Sequence, residues 1–146
     1  MSAAALYANH KIDKRYIFDR KIPKEYGDPL DRNINGKLIN GDRIIITDDV
    51  ISTGLTKKNE VKLLNSLGIN LDVVGVLVGL NRKETDENGN DPVKSLQEEL
   101  GIPVYSILDS DSVFNLLHNK EFLGKVWVDD EQFQKFQDYR AKYGTK

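Results

Sequence analysis

The sequence predicts an α/β fold with a mainly parallel sheet flanked by helices. Two observations favour this class: apolar segments of strand length alternate with helical patterns, and one segment, "LDVVGVLVGL" at 71–80, is apolar almost throughout. Alternation of strands and helices is typical of parallel sheets. The chain of 146 residues has the length of one ordinary domain, so we expect 1–146 to form a single domain.

The first part of the chain is expected to contain a short helix, a strand and an exposed loop. The pattern favours a helix at 2–10 and a strand at 16–18. Residues 19–33 are polar and contain prolines, so they should form the loop. Asn-Gly pairs at 35–36 and 40–41 predict tight turns before the next strand.

Strands and helices then alternate to the end of the chain. A buried strand at 44–47 precedes a helix at 57–67, whose buried face should hold Val61, Leu64 and Leu67. The next predicted elements are a strand covered on both faces at 71–80, a polar loop at 81–92 and a helix at 93–100. The last are a buried strand at 102–108, a helix capped by Asp109 or Ser110, and a helix at 130–143.

The composition excludes several classes of function. The 21 basic and 23 acidic residues give a net charge of −2, so no overall field favours nucleic acid or an anionic membrane. The absence of cysteine excludes disulfides, thiolate catalysis and cysteine-based zinc sites. The histidines, His10 and His118, are far apart in sequence, which disfavours a histidine metal site, and we assign them and Trp127 structural roles.

The location of the protein is predicted from two further features. The sequence has no segment long and apolar enough to span a bilayer. Its start, "MSAAALYANHKI", is too short and too weakly apolar for a signal peptide. We therefore expect a cytoplasmic protein.

Two adjacent acids follow the predicted strand at 44–47. Asp48 and Asp49 repel each other, so an ordinary fold gains little from placing both there. Ligands of parallel α/β sheets bind beyond the carboxyl ends of the strands, which here are followed by residues 19–26, 48–56 and 81–84. Two carboxylates at this edge suit vicinal hydroxyls, or a positive charge that develops during a reaction.

The segment "STGLT", residues 52–56, predicts an anion site beside these acids. It supplies backbone N–H groups and three hydroxyls, Gly54 permits a tight turn, and a helix begins near Thr56. Amides at a helix N-terminus bind phosphate, so the acids and amides together indicate a ribose 5-phosphate site. The spacing is not that of a Walker loop. The alternative is that the acids form a turn and that Ser52 or Thr53 only caps the helix.

Basic residues lie in or beside the same loops. The group at 19–26 favours an anionic ligand in a chain without a basic excess, although a solvated loop is the alternative. Its members are Arg20, Lys21 and Lys24. The planar guanidinium of Arg82 suits a carboxylate ligand, unless it pairs with Glu84 at the surface. Lys57 and Lys58 either add to the phosphate charge or are exposed, and we favour exposure.

Three segments resemble a known family. "IIITDDVISTGLT" at 44–56 resembles the phosphoribosyl-pyrophosphate motif of the type I phosphoribosyltransferases. "FDRKIPKEYG" at 18–27 and "GLNRKE" at 79–84 resemble the catalytic loop and a later segment of orotate phosphoribosyltransferase. "LGIPVYSIL" and "YRAKYG" also match in kind and order, so the resemblance covers nearly the whole chain. It implies a type I phosphoribosyltransferase-like fold.

The resemblance also implies a reaction and its partners. The 5-phosphoribosyl group of phosphoribosyl pyrophosphate (PRPP) is transferred to orotate, giving orotidine 5′-monophosphate and pyrophosphate in pyrimidine biosynthesis. The implied cofactor is Mg²⁺, held mainly through substrate oxygens rather than by a set of protein ligands. A homodimer is implied, in which the basic loop reaches the site of the neighbouring subunit, and neither nucleic acid nor a membrane is a partner.

The resemblance assigns a role to each site residue. The implied catalytic residues are Asp48, Asp49 and Lys24. The implied PRPP contacts are Arg20, Lys21, Lys24, Tyr26, Asp48, Asp49, Ser52, Thr53, Gly54, Leu55 and Thr56. Arg82 and Ser52 are the implied orotate contacts, and Arg82 meets the carboxylate. Tyr26 stands where the family commonly has histidine, and a phenol with a pKa of about 10 is a poor base at neutral pH.

The chain also departs from the family at its start. Family members are generally longer at the N-terminus, and "SAAALYANHKI" resembles the helix that follows their first core strand. The chain is therefore expected to be a truncated form, one piece of a split enzyme or a remnant that pairs differently. A complementing N-terminal fragment is the alternative partner to a second copy, and we expect this chain alone to have little or no transferase activity. Two alternatives stay open: a non-catalytic or partial PRPP-binding module, and a phosphoribosyltransferase for another base.

Overall fold

The computed structural model describes residues 2–20, 22, 25–26, 32, 34–51 and 54–145. Much of the predicted loop at 19–33 therefore lies outside the described residues. The contacts of the chain define two compact units, one formed by Met1–Arg43 with Glu60–Asp72 and the other by Ile44–Asn59 with Val73–Lys146. The single domain expected for 1–146 stays a prediction.

The elements follow the predicted order. The helices are α1 (Ser2–His10), α2 (Leu55–Ser66), α3 (Pro92–Leu100), α4 (Ser110–Leu117) and α5 (Asp130–Tyr143). The strands are β1 (Phe18–Asp19), β2 (Ile34–Asn35), β3 (Asp42–Ile51), β4 (Leu71–Asn81), β5 (Val104–Asp109), β6 (Glu121–Phe122) and β7 (Lys125–Val126). Each predicted helix is present, and the bounds of the first and last helices are those predicted.

Strands β3, β4 and β5 form one sheet, with β4 in the middle. β4 and β5 are parallel. β3 runs parallel to β4, because hydrogen bonds join the starts of the two strands and also their ends. Just before the strands, Gly41 N donates to Asn70 O over 2.7 Å. At their ends, Arg82 N donates to Ile51 O over 3.4 Å. The prediction of a mainly parallel sheet flanked by helices is confirmed.

The helix ends show why these sequences form helices where they do. The carboxylate of Asp91 accepts hydrogen bonds from the first turn of α3, and Gly101 ends that helix in a left-handed conformation with φ of 67°. Asp109 caps α4, as predicted, and Asp129 forms a capping box with Gln132 at the start of α5. These side chains satisfy amides that have no partner inside the helix.

Each unit buries a small apolar core. In the first unit, the α2 residues Val61, Leu64 and Leu67 are buried, as their helical spacing predicts. In the second unit, the buried apolar residues are Ile46, Ile51, Val76, Val78, Leu96 and Val128. Val76 and Val78 alternate along β4, so they lie on the same face of the sheet.

Three predictions about the strands are wrong. The strand predicted at 16–18 begins only at Phe18, which pairs with β2. The strands predicted to be buried at 44–47 and 102–108 are largely exposed, with Ile45 59 % and Ile107 70 % exposed. β4 is covered less completely on the face of Leu77, which is 37 % exposed, than on the face of Val76 and Val78, which are fully buried. Apolar runs indicate strands here, but they do not show that both faces are covered.

The exposed side chains of β4 and β5 form one surface. Leu77 lies opposite Tyr105 in the parallel pairing, so both project from the same face, and Ile107 lies two residues further along β5. Tyr105 is 60 % exposed. We call Leu77, Tyr105 and Ile107 the open sheet face.

The loop after β4 is held by the last helix. Arg140 of α5 forms a two-point ion pair with Asp111, with Nε to Oδ1 at 2.7 Å and Nη2 to Oδ2 at 3.1 Å. Its Nη1 also donates to the carbonyl of Lys83. The Thr85 amide donates to Tyr143 O over 2.8 Å. These bonds fix the backbone on which Arg82 stands.

Replacing Arg140 by methionine should destabilise the protein by about 2 kcal/mol, because it leaves a partly buried carboxylate and a carbonyl without their donor. The Arg140 side chain is only 17 % exposed, so solvent replaces these bonds poorly. Urea unfolding followed by circular dichroism measures the change. Lys135→Met, which removes an exposed ion pair with Glu131, is the matched control and should leave the midpoint unchanged. Equal midpoints for the two variants would contradict the prediction.

Candidate functional site

The twin acids lie within β3, not after it. We predicted that the strand stops before Asp48, but it continues to Ile51, so that prediction is wrong. The backbone of Asp49 packs closely against β4: a Cβ atom at Gly79 would lie 2.9 Å from the carbonyl oxygen of Asp49. Glycine at this point lets the two strands approach and fixes the position of Asp49.

Each acid is oriented by the amide that follows it. Asp48 Oδ1 accepts from Asp49 N over 2.9 Å, and Asp49 Oδ1 accepts from Val50 N over 2.9 Å. Both residues are exposed. Two exposed acids are thus adjacent on the edge strand, and the diol site stays a prediction.

Lys57 is the residue that the sequence prediction placed wrongly. We favoured an exposed lysine, but Lys57 is buried, and its Nζ lies 2.5 Å from Asp48 Oδ2. The signal was present in the sequence: Lys57 precedes Val61 by four residues and Leu64 by seven, which places it on the buried face of α2. Lys58 forms an ion pair with Glu99 and is partly exposed.

The ion pair changes the acidity of Asp48. Partial burial opposes ionisation, but hydrogen bonds from the Lys57 ammonium and the Asp49 amide outweigh it and hold the pKa of Asp48 below its ordinary value. Asp48 is therefore a carboxylate across the neutral range, ready to accept hydroxyl donors.

The predicted phosphate loop leads into α2. Gly54 is buried with φ of 71°, a left-handed conformation that favours glycine, and its carbonyl accepts from Lys58 N over 3.1 Å. The helix begins at Leu55, so its first amides, including that of Thr56, are available at the N-terminus. Ser52 and Thr53 lie outside the described residues.

Arg82 is found in the surface arrangement that we considered as its alternative. Its Nη2 lies 2.6 Å from Glu84 Oε1 and 3.4 Å from the hydroxyl of Tyr139. Tyr139 donates to the same Glu84 oxygen over 2.8 Å, and this hydrogen bond raises the pKa of the phenol. The Arg82 side chain is 46 % exposed, so a carboxylate from solution can reach it.

The residues of the predicted basic loop belong to the first unit, whereas Asp48, Asp49 and Arg82 belong to the second. Arg20 is partly buried, and its Nε has no hydrogen-bond partner in the part of the chain that the structure describes. Tyr26 is 81 % exposed. Lys21 and Lys24 lie outside the described residues.

His118 and Trp127 have structural roles, as predicted. His118 Nε2 lies 2.9 Å from Asp130 Oδ1, and its ring stacks on Phe133 at 4.0 Å between centroids. Trp127 Nε1 donates to the carbonyl of Phe122 over 2.8 Å.

The described ranges contain neither a cluster of metal-ligating side chains nor a membrane-spanning helix. Within them, no group of three or more His, Cys, Asp or Glu side chains is placed to hold a metal ion. Mg²⁺ commonly keeps several waters and is bound largely through substrate phosphates, so it does not require such a group of protein ligands. Among the described helices, none has the length and apolar character to cross a membrane.

The fold and this arrangement define a class of protein. The chain has the type I phosphoribosyltransferase fold: it superposes on the crystal structure of orotate phosphoribosyltransferase from Francisella tularensis with a TM-score of 0.69 over 97 % of this chain and 62 % of that one, at 23 % identity. An orotate phosphoribosyltransferase from Mycobacterium tuberculosis, solved in complex with PRPP, gives a TM-score of 0.55 over 76 % of this chain and 57 % of that one, at 20 % identity.

Relatives in sequence are named orotate phosphoribosyltransferase. The chain is 32 % identical over 142 residues to an orotate phosphoribosyltransferase from Clostridium botulinum, which covers 97 % of this chain. The chain spans 62 % of the length of that relative. No family model matches the sequence. The predicted resemblance is confirmed, and the chain is a homologue of orotate phosphoribosyltransferases over nearly its whole length.

Proposed function

We propose that the chain supplies the PRPP and orotate contacts of an orotate phosphoribosyltransferase. The observation that supports this most directly is the pair of exposed acids on β3, followed by Gly54 and the N-terminus of α2. Acids for a sugar diol and amides for a phosphate are the two recognition elements of a phosphorylated ribose.

In the proposed reaction, N1 of orotate displaces pyrophosphate at C1′ of PRPP. Asp48 and Asp49 accept hydrogen bonds from the ribose hydroxyls and stabilise the positive charge that develops on the ring as the bond to pyrophosphate lengthens. The backbone amides of residues 52–56 bind the 5′-phosphate, and the helix dipole adds to this attraction.

The leaving pyrophosphate is assigned to the basic loop. Arg20, Lys21 and Lys24 neutralise its charge as it departs, and Lys24 is the catalytic member of this group. Tyr26 donates a hydrogen bond through its hydroxyl. Mg²⁺ would be held mainly through substrate oxygens and would supply charge neutralisation to the pyrophosphate, so none of the chain's own residues is assigned as a metal ligand.

The orotate carboxylate is assigned to Arg82, together with Ser52. A guanidinium binds a carboxylate through two parallel hydrogen bonds, and orotate has this group while uracil lacks it. Orotate thus replaces Glu84 as the partner of Arg82. Glu84 keeps its hydrogen bond from Tyr139, so the exchange leaves that acid with a donor.

We further propose that the protein is cytoplasmic and acts with a partner. The partner is either a second copy of the chain, whose basic loop reaches the site, or an N-terminal segment that complements the chain. One observation supports the segment: the sheet has an open face at Leu77, Tyr105 and Ile107.

The Arg82→Ala variant tests the choice of base. We expect it to weaken orotate binding at least about tenfold, because a two-point bond to a charged group is lost, and to leave PRPP binding unchanged. Calorimetric titrations with PRPP and Mg²⁺, then with orotate, measure both. Lys83→Ala, which alters the neighbouring cation, is the control. Equal weakening by both variants, or weaker PRPP binding in Arg82→Ala alone, would contradict the assignment.

A second function is favoured by one observation. Arg82 already has Glu84 as a partner, as it would in a module that binds PRPP but not orotate. The same titrations separate the two functions: binding of PRPP with no binding of orotate indicates the module. Binding of another base in preference to orotate indicates a phosphoribosyltransferase of different specificity.

A further inference from the structure

Lys57 is a buried cation in an unfavourable place. It is the third residue of α2, and its side chain is 3 % exposed. A helix N-terminus carries partial positive charge, which disfavours a cation there, and removal of an ammonium group from water is costly without a partner. The carboxylate of Asp48, 2.5 Å away, supplies the compensating charge.

The ion pair leaves part of Asp48 available. A carboxylate has about four acceptor positions on its two oxygens. Lys57 occupies one position on Oδ2, and the Asp49 amide occupies one on Oδ1. The Asp48 side chain is 35 % exposed, so its remaining positions face solvent. The carboxylate is thus held at both oxygens while it can still accept hydroxyl donors.

We propose that Lys57 is a positioning residue that holds Asp48 in the orientation that binds the ribose hydroxyls of PRPP. This inference rests on the proposed function. Without the ammonium, Asp48 loses the contact that fixes Oδ2, and repulsion between the two neighbouring acids favours orientations in which they diverge. Lys57 also links the acids on β3 to the first turn of α2, so one ion pair joins the two halves of the predicted sugar-phosphate site.

Lys57→Met is the variant that tests this role. Methionine has a similar volume, and water can take the place of the ammonium beside Asp48, whose side chain is 35 % exposed. We expect PRPP with Mg²⁺ to bind about tenfold more weakly at pH 7.5, the effect of one hydrogen bond to a charged group. Lys58→Met, which removes the neighbouring ion pair with Glu99, is the matched control and should bind as the wild type does.

The pH dependence separates positioning from a general structural effect. In the wild type the lowered pKa keeps Asp48 ionised as the pH falls, whereas in Lys57→Met the pKa should be higher, so binding should be lost at a higher pH. Carbon-13 NMR of the Asp48 carboxyl, without any ligand, measures the same shift directly. If Lys57→Met does not fold, Lys57→Gln takes its place in both measurements.

The outcomes distinguish this inference from the proposed function. An Asp48 titration that is the same with and without Lys57 overturns the inference, whether or not PRPP binds. Equal or tighter binding of PRPP by the variant also overturns it, because Lys57 would then be neutral or would compete with the ribose. Failure of the wild type to bind PRPP rejects the proposed function and with it the positioning role.

Discussion

Replacement of Asp48 and Asp49 together by asparagine should weaken the binding of PRPP with Mg²⁺ at least about 100-fold. Each substitution keeps the size of the side chain but removes a charge-assisted hydrogen bond, which contributes about 1.5–3 kcal/mol. Two such losses correspond to more than a hundredfold change in the dissociation constant. Calorimetry on the purified variant measures the change directly.

A matched control shows whether the effect belongs to the site. Asp72→Asn removes an exposed acid on β4 that pairs with Arg43, and PRPP binding should not change. The single variants should each show a smaller loss than the double variant. Retention of wild-type affinity by the double variant would mean that the phosphorylated sugar binds elsewhere, and the proposed function would fail.

The fold could be predicted well because its signals are local. Helix caps and terminal glycines depend on neighbouring residues, and the structure places Asp109 and Gly101 in those roles. Helical spacing identified Val61, Leu64 and Leu67 as a buried face. The parallel direction of the strands could be predicted because a helix between two successive strands leaves few other ways to connect them.

Burial of the strands could not be predicted in the same way. An apolar run such as 102–108 shows that a strand favours contact on both faces, but the covering element lies elsewhere in sequence or on another chain. Tyr105 and Ile107 are exposed although they belong to such a run. The apolar pattern therefore predicts the strand correctly but predicts its burial wrongly.

The candidate site shows a similar division. The two acids and Gly54 were identified from a short segment, since their roles depend on adjacent residues. The partners of Lys57 and Arg82 depend on which charge lies nearest in space. For Arg82 the near sequence offered Glu84, which is the pair found, whereas the pairing of Lys57 with Asp48 required the return of α2 beside β3.

The complementing segment should have the largest effect of all on catalysis. We expect the chain alone to form orotidine 5′-monophosphate very slowly, and addition of the N-terminal segment of the Clostridium botulinum relative to raise the rate at least about 1,000-fold. Loss of a single preorganised donor commonly costs about 100-fold to 1,000-fold, and the segment would supply several contacts. Depletion of orotate, followed by its absorbance, measures the rate.

The open sheet face provides the control for this experiment, because the segment must cover Leu77, Tyr105 and Ile107 if it completes the sheet layer. Ile107→Asp should therefore abolish the stimulation, since a charge would be buried without a partner. Leu123→Asp, at a side chain that is 84 % exposed in the β6–β7 turn, should leave it intact. Fusion of the segment to the N-terminus of the chain repeats the test in a form that does not depend on the affinity of the segment for the chain. Full activity of the chain alone, or no stimulation in either form, would show that the exposed face is not a binding surface for such a segment.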